Sequence, residues 1–499
     1  SNFSTGFANG LPNDSDQTVS LNNTVWTNNG ATLLAESENA NTTFTLSGTT
    51  QFNATAVGEG GRSHFALGTN SVVNMTLSGS AKYTAKGRFQ IAHGTGSSAT
   101  ITVENNAGIV KTGEWTSIGN SNNGVGTLNV KNNGTFSTDG DFNISDVGTS
   151  TGFVNVSDSG AVTSSGAAYI GKGGGTSGTV TMTGGSFTVS NQINVASGIT
   201  GEGVRSLGVV NVNGGSFNQT GAGQGLTVGG AGTGTLNITA GAVNVSGSQG
   251  LVVGDTGTGT VNLDGGTLTT TRVWGGAAGG SGTFNFDGGA LLVGAGANAD
   301  FFNGVENVVV EAGGAIINSN GNDATINQSF GGVGGLTKTG AGTLILNGNI
   351  SVQGDTVVSA GTLAGSAVFT GNITVNSGAN LSPGAPNGTL STSDGKITFN
   401  AGASLTIDLT GGDDFISSPE LVLNNTTLVL NGAPSQPVHL IARVGTVTGT
   451  FGTPAPSGYS YNYAYEVDGT PFVALVQTGG ASPYTTWVNG FFPGVTDPA

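Results

Sequence analysis

A short strand pattern that returns about every 25 residues constrains the fold of this chain more than any other feature. Nine copies align, and each has an apolar residue, then Thr or Asn, then a second apolar residue. The first apolar positions are Met75, Ile101, Leu128, Val154, Val180, Val210, Leu236, Val261 and Phe284. Apolar–polar–apolar alternation is typical of a half-buried strand, and a fixed return of this length indicates a repeat architecture. The sequence therefore predicts a solenoid.

Each repeat also carries the apolar residues of a second and a third strand. In residues 126–145, the strand 126–130 is followed by Phe136 and then by Phe142 and Ile144. The second-strand position recurs as Phe136, Val162, Phe187, Phe217, Val243, Leu268 and Leu291. Gly and Asn between the strands tolerate the left-handed conformations that sharp corners need. We therefore expect an all-β parallel β-helix (β-solenoid) with about 25-residue, three-strand coils.

The repeat extends in both directions with less regularity. Val19 and Phe44 fit as earlier anchors, and later ones are Val308, Ile373, Ile397 and Leu421. About sixteen coils, stacked about 4.8 Å apart, would form a rod about 75 Å long. The insertion at 198–208 stretches one interval, so we expect a loop that protrudes at a corner.

These changes in regularity predict five segments. They are irregular capping coils at 1–60, regular repeats at 61–330, a distinct repeat type at 331–410, a C-terminal β region at 411–480 and an apolar tail at 481–499. Within the fourth segment, the strict Tyr alternation at 459–465 is typical of a strand in a capping sheet.

Composition narrows the function. The net charge is −16 with only 12 Lys and Arg, so nucleic acid, which needs a positive footprint, is not an expected partner. No stretch approaches the 18 or so apolar residues of a membrane span, so we expect a protein that is not membrane-spanning. The absence of Cys excludes disulfides and thiolate metal sites. An acidic, Asn/Thr-rich chain that opens at Ser1 without Met has the composition of a processed bacterial surface protein, secreted or extracellular.

Residues 331–390 resemble a known family. The run GGVGGLTKTGAGTLILNGN, then TVVSAGTL at 356–363 and LSPGAPNGTL at 381–390, is similar to the autotransporter-associated β-strand repeat of bacterial exported proteins. The resemblance implies a surface-exposed, right-handed parallel β-helix that serves as a stalk, adhesin or passenger. It supplies no catalytic residues.

Parallel β-helices also house polysaccharide-degrading enzymes, so we searched for catalytic residues. Asp413 and Asp414 are similar to the paired aspartates of the polygalacturonase family, and two carboxylates can act as acid and base in glycoside cleavage. The His-containing and Arg/Lys-containing motifs of that family are absent. We therefore interpret the pair as a surface turn and expect no enzymatic activity and no catalytic residues.

Metal-binding patterns are weak. His64, His93 and His439 are far apart in the sequence, share no ligand spacing and are interpreted as surface or corner residues. Asp139, Asp141 and Asp146 lie in one turn-rich stretch and are a weak candidate for calcium, without the arrangement of an EF-hand. We expect a solvated corner there and no metal or other cofactor.

The outward Thr/Asn position suggests two interpretations. Stacked amides form side-chain ladders in cross-β structures, and a flat polar face also suits polysaccharide or ice. Uniform repetition favours an extracellular structural protein, a β-solenoid that self-assembles into a surface filament or matrix fibre. The alternatives are an adhesin or carbohydrate-binding surface stalk and, less favoured, a polysaccharide-degrading enzyme.

Apolar residues near both ends favour self-assembly. The tail carries Trp487, Val488, Phe491 and Phe492, and the N-terminal stretch carries Phe3 and Phe7. Such groups are costly to leave in water, so we expect both ends to be docked. A cap on the last coil would give a monomer, whereas docking on the next molecule gives a head-to-tail homopolymer, which we favour.

Overall fold

The structure, a computed structural model, describes residues 3–5, 16–198, 203–276, 279–384, 388–410 and 414–479. These residues form an all-β solenoid of about 16 turns, with one 3-10 turn at Gly58–Gly61. The chain divides into two compact units, Ser1–Val309 and Val310–Ala499. The predicted fold class is confirmed, while the apolar tail lies outside the described residues.

The first unit is built from three columns of parallel strands. The first column holds Asp16–Asn22, Asn41–Ser47, Val72–Leu77, Ser98–Val103, Val125–Val130, Thr151–Val156, Ser177–Met182, Thr258–Leu263 and Ser281–Phe286. The second holds Val25–Asn28, Gln51–Val57, Lys82–Lys86, Gly108–Lys111, Thr135–Thr138, Ala161–Ser164, Ser186–Val189, Thr267–Thr270 and Ala290–Val293. Leu207–Gln219 and Thr233–Val245 each run through both columns. The third holds Phe3–Ser4, Thr32–Leu34, Ser63–Phe65, Phe89–Ile91, Thr116–Ile118, Phe142–Ile144, Ala168–Ile170, Ile193–Val195, Gly225–Val228, Gly250–Val253, Val273–Gly275 and Asp300–Asn303.

The sequence anchors stack in register. Ile101 pairs with Met75 on one side and Leu128 on the other, and the same alignment continues through the remaining anchors to Phe284. Every one of the nine anchors is buried. Because burial of apolar area is the main favourable term in folding, these columns form the core of the unit, as predicted.

Glycine at the start of many first-column strands permits a close approach. A Cβ on Gly178 would lie 2.3 Å from the Ile144 carbonyl oxygen and 2.4 Å from the Gly171 nitrogen. Both atoms are backbone and cannot move aside. The recurrent Gly-Thr of the sequence pattern therefore reflects tight packing of the first strand against the end of the third.

Corners between the first and second strands use left-handed residues, as predicted. Asn132 and Asn133 have φ of 48° and 63°, and Gly185 at the equivalent corner two coils later has φ of 63°. The insertion at 198–208 is described at residue 198 and from residue 203, and it leads into the strand Leu207–Gln219. Gly198 and Ser206 close it with a backbone hydrogen bond of 2.9 Å, and Val204 within it is exposed.

The second unit repeats three-strand coils of varying length. Its parallel strands are Ala315–Asn318, Ala324–Ile326, Phe330–Gly332, Leu336–Thr339, Thr343–Leu346, Ile350–Val352, Thr356–Val358, Thr362–Gly365, Val368–Phe369, Ile373–Val375, Asn380–Pro383, Thr389–Thr392, Lys396–Phe399, Ser404–Asp408 and Phe415–Asn431; the strand Asn307–Val310 spans the division between the units. The predicted anchors Ile373, Ile397 and Leu421 stack on one another.

The second unit ends in antiparallel strands. Val438–Phe451 pairs in parallel with Phe415–Asn431 and antiparallel with Thr470–Gln477, which in turn pairs with Tyr459–Val467. The Tyr-rich strand is therefore the outermost strand of this sheet among the described residues. Its interpretation as part of a capping sheet stays a prediction.

Candidate functional sites

Outward-facing asparagines of the first unit form a hydrogen-bonded ladder. The side-chain amide of Asn237 donates to Asn211 Oδ1 at 2.8 Å and accepts from Asn262 at 2.7 Å. Asn285 extends this run by donating to Asn262 at 2.7 Å, and Asn155 donates to Asn129 at 2.9 Å in an earlier run. Asn237 and Asn262, inside the run, each donate to one neighbour and accept from the other, which supports the stabilising interpretation.

Two of the three histidines are buried, although all three were expected at the surface or at corners. His64 is buried in the third-column strand Ser63–Phe65, and its ring lies 4.4 Å from the ring of His93. His439 is buried too, and its Nε2 accepts hydrogen bonds of 3.1 Å from the Ser435 and Gln436 backbone N–H groups. The surface interpretation is wrong for His64 and His439, and the first two histidines are neighbours.

The misplacement of His64 has a structural reason. Strand alternation directs the middle residue of a third-column strand away from the core, yet this position is covered at His64, Gln90, Ser117 and Asn143. Residues that follow a third strand reach over it or over the third strand of the preceding coil: the His93 ring lies against the His64 ring at a tilt of 34°, and Asn143 donates to Asp146 at 3.1 Å. Period-2 alternation does not reveal a cover formed by a neighbouring loop.

The acidic stretch is not gathered into one site. Asp139 faces the Lys111 amine at 4.0 Å, Asp146 faces the Lys172 amine at 3.5 Å, and Asp141 is exposed. Within the described ranges, no group of three or more His, Cys, Asp or Glu side chains is arranged to hold a metal ion. Two of the three carboxylates have a lysine partner, which lessens their capacity for a cation.

Asp414 does not lie in a surface turn, although this was expected. Its carboxylate is buried and accepts a 2.7 Å hydrogen bond from the Gly388 backbone N–H. The interpretation of Asp413 and Asp414 as a surface turn is therefore wrong for Asp414, while Asp413 lies outside the described residues. A buried carboxylate that binds a backbone N–H has a structural role in joining two coils.

Of the residues predicted to mediate assembly, only Phe3 is among the described residues. Phe3 is half-buried, and its ring lies 5.8 Å from Trp26, 5.6 Å from Phe44 and 5.3 Å from Phe52. Phe7, Trp487, Val488, Phe491 and Phe492 lie outside the described residues. Phe3 therefore belongs to an aromatic cluster in the first coils.

Lys111 and Lys338 are buried, which the sequence analysis did not predict. The Lys338 amine donates to Ser319 Oγ at 2.9 Å and to the Thr339, Gly340 and Ala360 carbonyl oxygens at 2.8–3.0 Å. The Lys111 amine is buried with no hydrogen-bond partner among the described residues. Burial lowers the pKa of each lysine to about 8. The sequence signal is clear only for Lys338, which pairs in register with Ile317 and Val358.

Two polar grooves also lie on the strand faces. One, of about 320 Å³, lies in the first unit beside Val110, Ser137, Thr163 and Thr188. The other, of about 530 Å³, lies in the second unit beside Val368, Ser391, Ser417 and Arg443. Each combines hydroxyl groups with an exposed valine and one basic residue, Lys111 or Arg443. Sequence alternation placed these residues outward but did not show that they line a concavity.

Residues 336–364 match the family model described as passenger-associated-transport-repeat. The match begins at Leu336–Thr339 and ends within Thr362–Gly365, so it covers about one and a half coils of the second unit. No curated protein matches the chain. The repeat and the solenoid together fit an autotransporter passenger-associated β-helix repeat protein, which confirms the resemblance. Among described residues, no helix has both the length and the apolar character for a membrane span.

Proposed function

We propose that this protein is an exported structural protein of the cell surface or matrix, and that copies of it stack end to end. The passenger-associated repeat supports export. The uniform stack supports a structural role, because the described residues hold self-satisfied ladders and structural carboxylates such as Asp414. The proposal includes no catalysis and no cofactor.

The assembly proposal rests on the pairing of the first and last long strands. Among the described residues, Asp16–Asn22 pairs only with Asn41–Ser47, and Tyr459–Val467 pairs only with Thr470–Gln477. Within the described ranges, each of these strands therefore has a neighbouring strand on one side only. Such edges are templates for pairing with another chain, and different edges at the two ends favour a repeating head-to-tail contact.

The first coil also leaves apolar groups uncovered. Val19 and Leu21 occupy inward register positions yet are only half-buried, whereas Leu46, which pairs with Leu21, is fully buried. Val25 and Trp26 are exposed by 72% and 42%. A further coil stacked on this end would bury these groups. The net charge of −16 opposes association, so assembly requires salt to screen it.

The test is the oligomeric state of the full chain at physiological salt, measured by sedimentation and electron microscopy. We expect filaments, and Leu21→Lys is expected to abolish them because an inward charge at the edge blocks stacking. Ser20→Lys is the matched control, since it adds the same charge on the outward side of the same strand. Removal of residues 481–499 should likewise leave a folded monomer. A monomeric full-length protein would refute assembly, and filaments that survive Leu21→Lys would refute this end as the interface.

A further inference from the structure

We propose that the groove beside Arg443 in the second unit binds a carboxylated saccharide chain, such as a polyuronate. Carbohydrate recognition at this site does not depend on the assembly of copies. The proposal rests on the shape of the groove and on hydroxyl groups and a guanidinium that have no side-chain partner among the described residues.

The groove follows one outward column of side chains. Val368 pairs in register with Ser391, Ser391 with Ser417, and Ser417 with Arg443. Three steps of about 4.8 Å give the column a length of about 14 Å, which suits an extended chain rather than a compact molecule. Thr470, at the start of the antiparallel strand Thr470–Gln477, also lines the groove.

The hydroxyl groups in the groove are available. The side chains of Ser391, Ser417 and Thr470 make no hydrogen bond within the described residues, whereas Thr392 and Ser418, which point inward beside them, donate to backbone carbonyl groups at 2.6 and 2.8 Å. A hydroxyl group both donates and accepts, which matches the hydroxyl groups of a sugar.

Arg443 supplies the charge preference. It is exposed in the groove and forms no ion pair or side-chain hydrogen bond with any described residue. Three of the other arginines are engaged: Arg88 pairs with Glu114 at 2.8 Å, Arg205 donates to the Ala231 carbonyl oxygen, and Arg272 stacks on Trp274 at 4.9 Å. A free guanidinium presents a planar fork of donors that fits a carboxylate in two parallel hydrogen bonds.

The opposite end of the column is apolar. Val368 is 46% exposed and offers a surface for the C–H face of a sugar ring. Along one line, the groove therefore presents the apolar Val368, two serine hydroxyl groups and the Arg443 cation. A uronate residue at the Arg443 end, followed by further sugars toward Val368, satisfies all of these groups.

The groove of the first unit is an internal comparison. It has a similar column, Val110, Ser137, Thr163 and Thr188, but its lysine is buried and faces the Asp139 carboxylate at 4.0 Å. That carboxylate repels an acidic ligand. We therefore assign the carboxylate preference to the second unit alone.

The test is isothermal titration calorimetry with a hexamer of galacturonic acid, at a protein concentration where the chain is monomeric. We expect Arg443→Gln to weaken binding at least tenfold and Ser417→Val to weaken it severalfold. Arg205→Gln, which removes the same charge in the other unit, should leave binding unchanged. Melting temperatures of all variants should match that of the parent protein, because all three side chains lie outside the core.

Two further ligands test whether the groove prefers an acidic sugar and whether it recognises a chain. Neutral cellohexaose should bind the parent protein as weakly as the hexuronate binds Arg443→Gln, and monomeric galacturonate should bind much more weakly than the hexamer. No binding of the hexuronate, or equal binding by Arg443→Gln, would overturn the proposal. Equal binding of cellohexaose would overturn the acidic preference, and equal binding of the monomer would overturn recognition of a chain.

Discussion

The His64 ring lies against the His93 ring, with their centroids 4.4 Å apart and their planes tilted by 34°. Burial is the main cause that lowers the pKa of both histidines, and for His64 the value falls to about 3, with His93, Arg62 and Arg88 adding repulsion. The lowered pKa of this buried pair predicts that acid destabilises the first coils.

We therefore expect stability to fall as the pH drops from 6.5 toward 3. The unfolded chain binds a proton at His64 near pH 6.5, whereas the folded chain binds it only near pH 3, so acid favours unfolding. The loss reaches about 3 kcal/mol at most by pH 4. His64→Leu should reduce this dependence, because Leu33 occupies the paired position on the preceding coil. Urea unfolding at pH 7 and pH 4 measures both; equal pH slopes for the two proteins would contradict the prediction.

Lys111 should give stability a second pH dependence at high pH. Its folded pKa of about 8 lies below the ordinary 10.5, because burial disfavours the charged amine more than Asp139 and Glu114 favour it. The unfolded chain binds more protons between these values, so stability rises as the pH increases from 8 to 10.5. Lys111→Met should reduce this rise, leaving the part that comes from Lys338, and stabilise the protein at pH 7 by about 2 kcal/mol. Thermal melts at pH 7 and pH 10 measure the effect, and a less stable Lys111→Met protein at pH 7 would contradict it.

Inward and outward positions should differ in their tolerance of charge. Leu128→Asp or Val154→Asp places a carboxylate in the buried anchor column and should cost several kcal/mol. Asn129→Asp, on the outward face between them, retains an acceptor for the Asn155 amide and should cost much less. Circular dichroism melts compare the variants, and equal losses would contradict the assignment of faces.

The asparagine ladder should depend on position along its run. Asn237 makes two ladder hydrogen bonds, so Asn237→Ala should lower the free energy of unfolding by about 1 kcal/mol. Asn285→Ala removes only the donor to Asn262 and should cost about half as much. Chemical denaturation measures both; a larger loss at Asn285 would show that the ladder does not stabilise the stack.

Metal removal should leave stability unchanged. The first unit is held by apolar columns and stacked hydrogen bonds, and the Asp139 and Asp146 carboxylates each face a lysine. We expect the same melting temperature with calcium and with a chelator. A large drop on chelation would instead establish a calcium site in the 139–146 stretch.

The repeat pattern alone predicts the fold class and much of the strand register. The anchors repeat because each coil must bury the same apolar positions against its neighbours, and a parallel stack brings equivalent positions together. For the same reason the outward Thr/Asn position predicts a ladder, and Asn262 and Asn237, which occupy it, are hydrogen-bonded. Local pattern and tertiary packing agree at these positions.

Packing of loops and neighbouring coils determines what covers each strand face, and no local sequence pattern shows it. Alternation identifies the outward side of a strand, but whether that side meets water depends on where a loop returns. His64 is covered by residues after the next third strand, and Asp414 is drawn inward by the Gly388 N–H across 26 residues of chain. Arg443 and Ser417 likewise form a groove only because neighbouring coils and an antiparallel strand raise its walls. Such contacts join residues that are distant in sequence and follow no local period, so only the folded chain reveals them.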